Sequence, residues 1–218
     1  MQDVTIRKYQ VGDRFAIRRI ACETAFLGET YQNFIANGEA LADVLTACYT
    51  DYEPESCFVA ESAGEIVGYI IGSLDVKRIR KIQLWRILPK AVFKCITSRA
   101  IIDKNSLRFM FHVILGLLAG DCKIPNFSKE YPATLHINLT AQFRGKGTGA
   151  GLINVFIKYL KENLVSGVHF GTMSENARGF FEKMGFRVLF SGKLTYLKYY
   201  FGKDLNYYVM GSRETADG

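Results

Sequence analysis

The sequence lacks several features that would fix its class early. Its first eight residues, Met1 to Lys8, hold no apolar stretch of the kind a secretory leader needs. Its longest apolar run, Phe109 to Ala119, is broken by His112 and falls short of the roughly 20 residues that span a bilayer. Cys22, Cys48, Cys57, Cys95 and Cys122 are scattered and form no CxxC pair. That argues against a disulfide framework and against a zinc site. No internal repeat or low-complexity tract occurs. These absences predict a cytoplasmic chain with buried free thiols and no metal.

The 218 residues suit one domain over 1–218 with room for a large insertion. Hydrophobic residues make up 49% and charged residues 22%, an ordinary globular balance, with disorder expected only over 211–218. The net charge of +7 favours an anionic partner: a phosphorylated small molecule, nucleic acid or a membrane surface.

Periodicity supplies the elements. Val4 to Tyr9 reads as a strand, and Asp13 can cap a helix toward Ala25. Leu41 to Tyr49 reads as a helix. Ser56 to Glu61 and Ile66 to Ser73 read as a hairpin, in which Gly68 and Gly72 mark a bulge or a close backbone approach. Thr134 to Thr140 alternates as a strand. Thr148 to Asn163 has a strong apolar stripe through Leu152, Val155, Phe156, Tyr159 and Leu160. Val168 to Thr172 is a strand, Asn176 to Met184 a helix, and Phe186 to Phe190 and Asp204 to Met210 closing strands. Strands on both sides of 148–163 imply a βαβ unit and hence a mixed α/β (α+β) fold.

Residues 75–130 break this pattern. Over 75–108 ten basic residues face two acidic ones, Asp75 and Asp103, with apolar residues interleaved. Two or three helices are expected, with Pro89 allowing a break. Such a basic insertion can act as a lid over the acceptor site, as a surface over 77–108 for an anionic acceptor or nucleic acid, as an amphipathic element on a membrane surface, or as a solvated helical face.

The loop Arg144-Gly145-Lys146-Gly147-Thr148-Gly149 joins a strand to a helix. A helix N-terminus offers free N–H groups and the positive end of its dipole, and glycines let the backbone approach an anion. Walker A spacing is absent, and the GxGxG run lacks the acidic residue of a dinucleotide fold.

The spacing of Arg144, Gly147 and Gly149 resembles motif A of the GNAT N-acetyltransferase superfamily. Ser174 to Phe186 looks like that family's motif B, with Asn176, Lys183, Gly185 and Phe186 in matching roles. The run Leu135 to Leu139 with Gly167 to Gly171 is similar to a bacterial subgroup, the acetyltransferase-like domains fused to some O-GlcNAc hydrolases. The resemblance implies a GNAT-like central sheet flanked by helices, with the basic insertion between the third and fourth strands. It implies acetyl-CoA as co-substrate and transfer to a primary amine, borne by a small molecule or peptide, by direct attack. It places the cofactor on Ile137, Asn138, Leu139, Thr140, Arg144, Gly145, Lys146, Gly147, Thr148, Gly149, Asn176, Phe180 and Phe181.

Catalysis is less plainly written. Phe181 stands where many members have a tyrosine acid, and Leu135 to Leu139 holds no carboxylate. His136, Asn138 and His169 are the polar candidates on flanking strands, since a histidine near pKa 6.5 suits base work. Asp51, Tyr52 and Glu53 could receive a cationic acceptor. The alternative expectation is a non-catalytic module that binds CoA, nucleic acid or a membrane surface; a homodimer is a further expectation.

Overall fold

The computed structural model describes residues 3–121 and 123–213. Cys122 lies outside the described residues, as does the 214–218 part of the tail. Strand β1 (Thr5–Lys8) is followed by helix α1 (Arg14–Thr24) and by a helix over 38–50, α2. Strands β2 (Cys57–Ser62) and β3 (Glu65–Ser73) form the hairpin. Its turn residues Ala63 and Gly64 both take positive φ, which suits the twist of a two-residue hairpin. The insertion then contributes α3, over 76–97, and α4 (Lys104–Ala119). Strand β4 (Thr134–Leu139), helix α5 (Thr148–Glu162), strand β5 (Val168–Thr172) and helix α6 (Glu175–Lys183) follow. Strand β6 (Arg187–Leu194), the short helix α7 (Lys198–Phe201) and strand β7 (Leu205–Ser212) close the chain. Gly211 and Ser212 of the expected disordered tail therefore belong to a strand.

The sheet has two parts, in the orders β1-β2-β3-β4 and β5-β7-β6, all with antiparallel neighbours. A single parallel bridge, Ala133 to Val168, joins them. One face packs on α5 through Phe58, Ile70, Leu135, Leu152, Phe156 and Phe170. The other face packs on α1 and α2 through Ile17, Ile20, Val59, Tyr69 and Ile71. Gly68 lies beside an irregularity in the β2–β3 register, and a Cβ at Gly72 would strike the Phe156 ring. Both glycines thus serve close packing of the sheet.

Several expectations change in detail. Asp13 precedes α1, but its carboxylate accepts from the Arg7 guanidinium and the Gln10 amide rather than capping the helix. Phe15 is exposed, whereas Ile17, Ile20 and Ala21 on the same helix are buried. Pro89 does not break its helix. It stands in the first turn of Leu88–Thr97, directly after a π-helical turn, Gln83–Ile87, where its missing N–H is tolerated. The insertion leaves and re-enters the sheet at one place, where the Val76 amide donates to the Pro132 carbonyl at 2.7 Å.

Candidate functional site

Strands β4 and β5 start side by side and then part. The Ala133 amide donates to Gly167 O and the His169 amide to Ala133 O, after which the two sheet parts are no longer paired. The direction of the freed groups follows from the other edge of β4. Leu139 stands opposite Gly68, and the next amide, Thr140, donates to Val67 O at 2.9 Å. In an antiparallel ladder hydrogen-bonded and non-bonded pairs alternate. Thr140 and Val67 form a bonded pair, so Leu139, Ile137 and Leu135 point their N–H and C=O groups into the gap beside β5. Asn138 and Thr140 turn theirs toward β3. Of the four residues expected to line the cofactor here, Ile137 and Leu139 therefore offer main-chain groups and the other two do not.

The glycine loop closes one end of this gap. Gly145 and Gly147 hold φ of +73° and +87°, where side chains are strained, and open space lies where their Cβ atoms would be. Gly147 is the N-cap of α5 and no side chain caps it, so the first-turn amides of Thr148 and Gly149 are left free for an anion. Gly149 has a different task. A Cβ there would sit 3.3 Å from the Phe180 ring and 3.4 Å from Leu139 Cδ1, so its bareness lets α5, α6 and the end of β4 meet. Arg144 is exposed and donates from Nε to Leu139 O at 3.1 Å, which places its charge at the mouth of the gap. Lys146 lies over the Phe143 ring, with its ammonium 5.6 Å from the centroid. Asn176 is exposed in the first turn of α6, which Ser174 caps. Phe181 is buried against Phe170 and Phe186, so it is a core residue that presents no group to a ligand.

His136 and Asn138 point to the face of the sheet opposite α5. They meet Tyr69, a residue the sequence reading passed over. Asn138 Nδ2 donates to Tyr69 Oη at 2.9 Å and to His136 Nε2 at 3.2 Å, and His136 Nδ1 lies 3.5 Å from the same Oη. This pattern puts the histidine proton on Nδ1. Burial pushes the His136 pKa down to about 4, and burial likewise raises that of Tyr69. His169 shares that face but is tied elsewhere: its Nδ1 donates to Tyr131 O at 2.7 Å. Tyr207, also unmarked in the sequence, leans its hydroxyl over the bare Cα of Gly171 on β5.

The residues expected to receive the acceptor are engaged within the chain. Asp51 is bound by Arg14 through two hydrogen bonds, at 2.9 and 3.1 Å. Glu53 is only 3% exposed and pairs with Arg78 at 3.1 Å; burial raises its pKa although Ser73 and Arg78 pull it down. Tyr52 packs beside Ala47 and Val76. Both carboxylates carry cations of this chain and so join elements together. A cavity of about 580 Å³ between α1, α2 and the insertion is similarly self-balanced, since Glu39 pairs with Arg18 and Glu23 with Arg19.

Fold and site together define an α/β protein whose sheet opens beside a glycine-rich turn and an uncapped helix start. No protein-family model matches the sequence, and no curated protein matches it significantly. Solved structures do. SsHAT is 25% identical, over 99% of this chain and 100% of its own, with a TM-score of 0.74. The polyamine N-acetyltransferase of Drosophila melanogaster is 14% identical, over 97% and 100%, with a TM-score of 0.57. The yncA protein of Salmonella typhimurium, solved with its cofactor acetyl-CoA, is 17% identical, over 96% and 93%, with a TM-score of 0.58. The chain thus has the mixed α/β fold of the GNAT N-acetyltransferases, to which these structures are similar.

Proposed function

We propose that the chain transfers an acetyl group from acetyl-CoA to a primary amine. The observation that carries this reading is the parting of β4 and β5 next to the uncapped start of α5. The pyrophosphate of CoA fits the amides of 145–149, with Arg144 and Lys146 adding charge. The pantetheine arm would add to β4 at Ile137 and Leu139 as a short extra strand. The Leu139 N–H would then polarise the thioester carbonyl as the amine attacks it. The C–N bond forms, the C–S bond breaks, and CoA leaves as thiolate.

The amine must lose a proton. A histidine whose pKa is about 4 is neutral at pH 7 but a poor resting base. His136 therefore stays neutral, fixed with Asn138 and Tyr69 in a polar row that orients the acceptor, and the amine's proton leaves through water. His169, already donating to a carbonyl, orients the start of β5. With Phe181 in the core, Tyr207, whose hydroxyl lies over Gly171 on the acceptor face, takes the role of acid for the thiolate.

A second reading, CoA binding without turnover, is favoured by that same Phe181. Release of CoA thiol from acetyl-CoA, followed over a panel of polyamines and peptides, separates the two. Amine-dependent thiol release is expected; saturable cofactor binding with no release under any amine favours the second reading.

A further inference from the structure

The helical insertion leaves its apolar side uncovered. Among the described residues, 14 of the 21 large hydrophobic side chains that are exposed fall within 84–118. They are not scattered. On α3 the row Trp85, Leu88, Val92 and Ile96 recurs at helical spacing, and Trp85 is 78% exposed. On α4 the row Leu107, Phe111, Ile114 and Leu118 does the same, and Leu118 is 81% exposed. The opposite side of α4 is the one that packs: Phe109 joins the Phe26, Phe34 and Tyr200 cluster, and Ser106 and Gly116 are buried. The helix is thus anchored to the sheet domain with a strongly apolar face turned outward. Exposed apolar rows on both helices mark them as interaction surfaces.

Charge selects the occupant. Residues 75–108 hold ten basic side chains and two acidic ones, so the chain's whole net charge of +7 is accounted for here. Both acids are spent as helix caps, Asp75 on α3 and Asp103 on α4. Lys81, Arg86 and Lys90 are exposed on α3 and make no ion pair among the described residues. A second copy of the chain would bring the same excess of positive charge to the contact. Nucleic acid would leave the leucine and isoleucine rows in water. A surface that is anionic outside and apolar just beneath satisfies both. No helix of the described residues is long and apolar enough to cross a membrane, so the insertion would lie along the surface.

We propose that α3 and α4 dock the protein on an anionic lipid bilayer, with the apolar rows in the headgroup region and Arg86 and Lys90 on lipid phosphates. The test needs no label, because Trp85 is the only tryptophan. The full chain is titrated with vesicles of equal phosphatidylglycerol and phosphatidylcholine while Trp85 emission and co-sedimentation are read. Emission should move to shorter wavelength, and binding should weaken with salt. Arg86→Gln with Lys90→Gln should weaken it about 30-fold, at roughly 1 kcal/mol for each cation. Leu88→Ser with Phe93→Ser, and separately Phe111→Ser with Leu118→Ser, should each reduce it; being surface changes, they should leave the folding transition and acetyl-CoA binding unchanged. Any of four results overturns the proposal. These are no binding, equal binding to pure phosphatidylcholine, an emission shift that tracks protein concentration without vesicles, or equal binding to duplex DNA that survives the serine changes.

Discussion

Thr140 donates its amide to Val67 O at 2.9 Å, and this bond turns the neighbouring amide of Leu139 into the gap between β4 and β5. The group that would polarise the thioester is therefore aimed by the hairpin β2–β3 rather than by the glycine loop. Leu139→Pro removes that one N–H while leaving the cradle at 145–149 in place. We expect kcat to fall about 100-fold or more with acetyl-CoA affinity changed far less, as for loss of an oxyanion donor. Comparable losses in kcat and in cofactor binding, with the fold intact, would show that the amide only positions the cofactor.

The loop glycines should separate by role. Gly145→Ala and Gly147→Ala force a side chain into positive φ and should cost about 1 kcal/mol of stability each. Gly149→Val strikes Phe180 and Leu139 instead, so it should weaken acetyl-CoA binding and stability together. Thermal melts with and without acetyl-CoA distinguish the two patterns.

Neutral His136 carries a sign. Its pKa is near 4 in the folded chain and about 6.5 when unfolded, so the unfolded state binds more protons between those values. Its contribution to stability is full above about pH 6.5, shrinks as pH falls toward 4, and levels off below. Urea titrations at pH 7.5 and pH 5 should show His136→Gln losing less stability over this interval than the parent chain. Equal losses would mean that His136 titrates normally.

Asn138 tests the polar row on β4 and Tyr207 the proton path. Asn138→Ala leaves Tyr69 Oη and His136 Nε2 without their shared donor and should destabilise by about 1–3 kcal/mol. Tyr207→Phe removes only a hydroxyl. It should lower kcat about 100-fold and remove the alkaline limb of the kcat–pH profile, without raising KM for acetyl-CoA. An unchanged profile would remove Tyr207 from the proton path.

The local signals were legible in the sequence and the long-range ones were not. The strand–glycine loop–helix unit, the α5 stripe and the hairpin each repeat a period within one element, so residue spacing revealed them. The pairs Arg14–Asp51 and Arg78–Glu53 join residues far apart in sequence, and nothing local at 51–53 foretells them. Tyr69 escaped notice because its polar partners, His136 and Asn138, lie on a strand that pairs with it only after the whole insertion. The π-helical turns at 43–47 and 83–87 add a residue to each helix and shift its buried face, which a strict 3.6-residue period misreads.

The same network logic predicts the cost of uncoupling the insertion. Asp43 accepts from Arg18 at 2.5 Å and from Lys94 at 2.5 Å, joining α1, α2 and α3. Burial works against its ionised form, but the bonds from Lys94 and Arg18 outweigh it and hold the pKa below the usual range. Asp43→Asn leaves the buried Arg18 guanidinium under-compensated and should cost about 3 kcal/mol. Chemical denaturation measures it; a cost below about 1 kcal/mol would mean the other contacts between the three helices suffice without Asp43.

The central claim is that the glycine loop beside the parted strands holds acetyl-CoA, and calorimetric titration tests it most directly. Acetyl-CoA is titrated into the parent chain and into Gly147→Trp, with circular dichroism confirming that both are folded. Saturable binding by the parent and none by the variant is the predicted result. No saturable binding by the parent, or equal affinity in the two, would contradict the account.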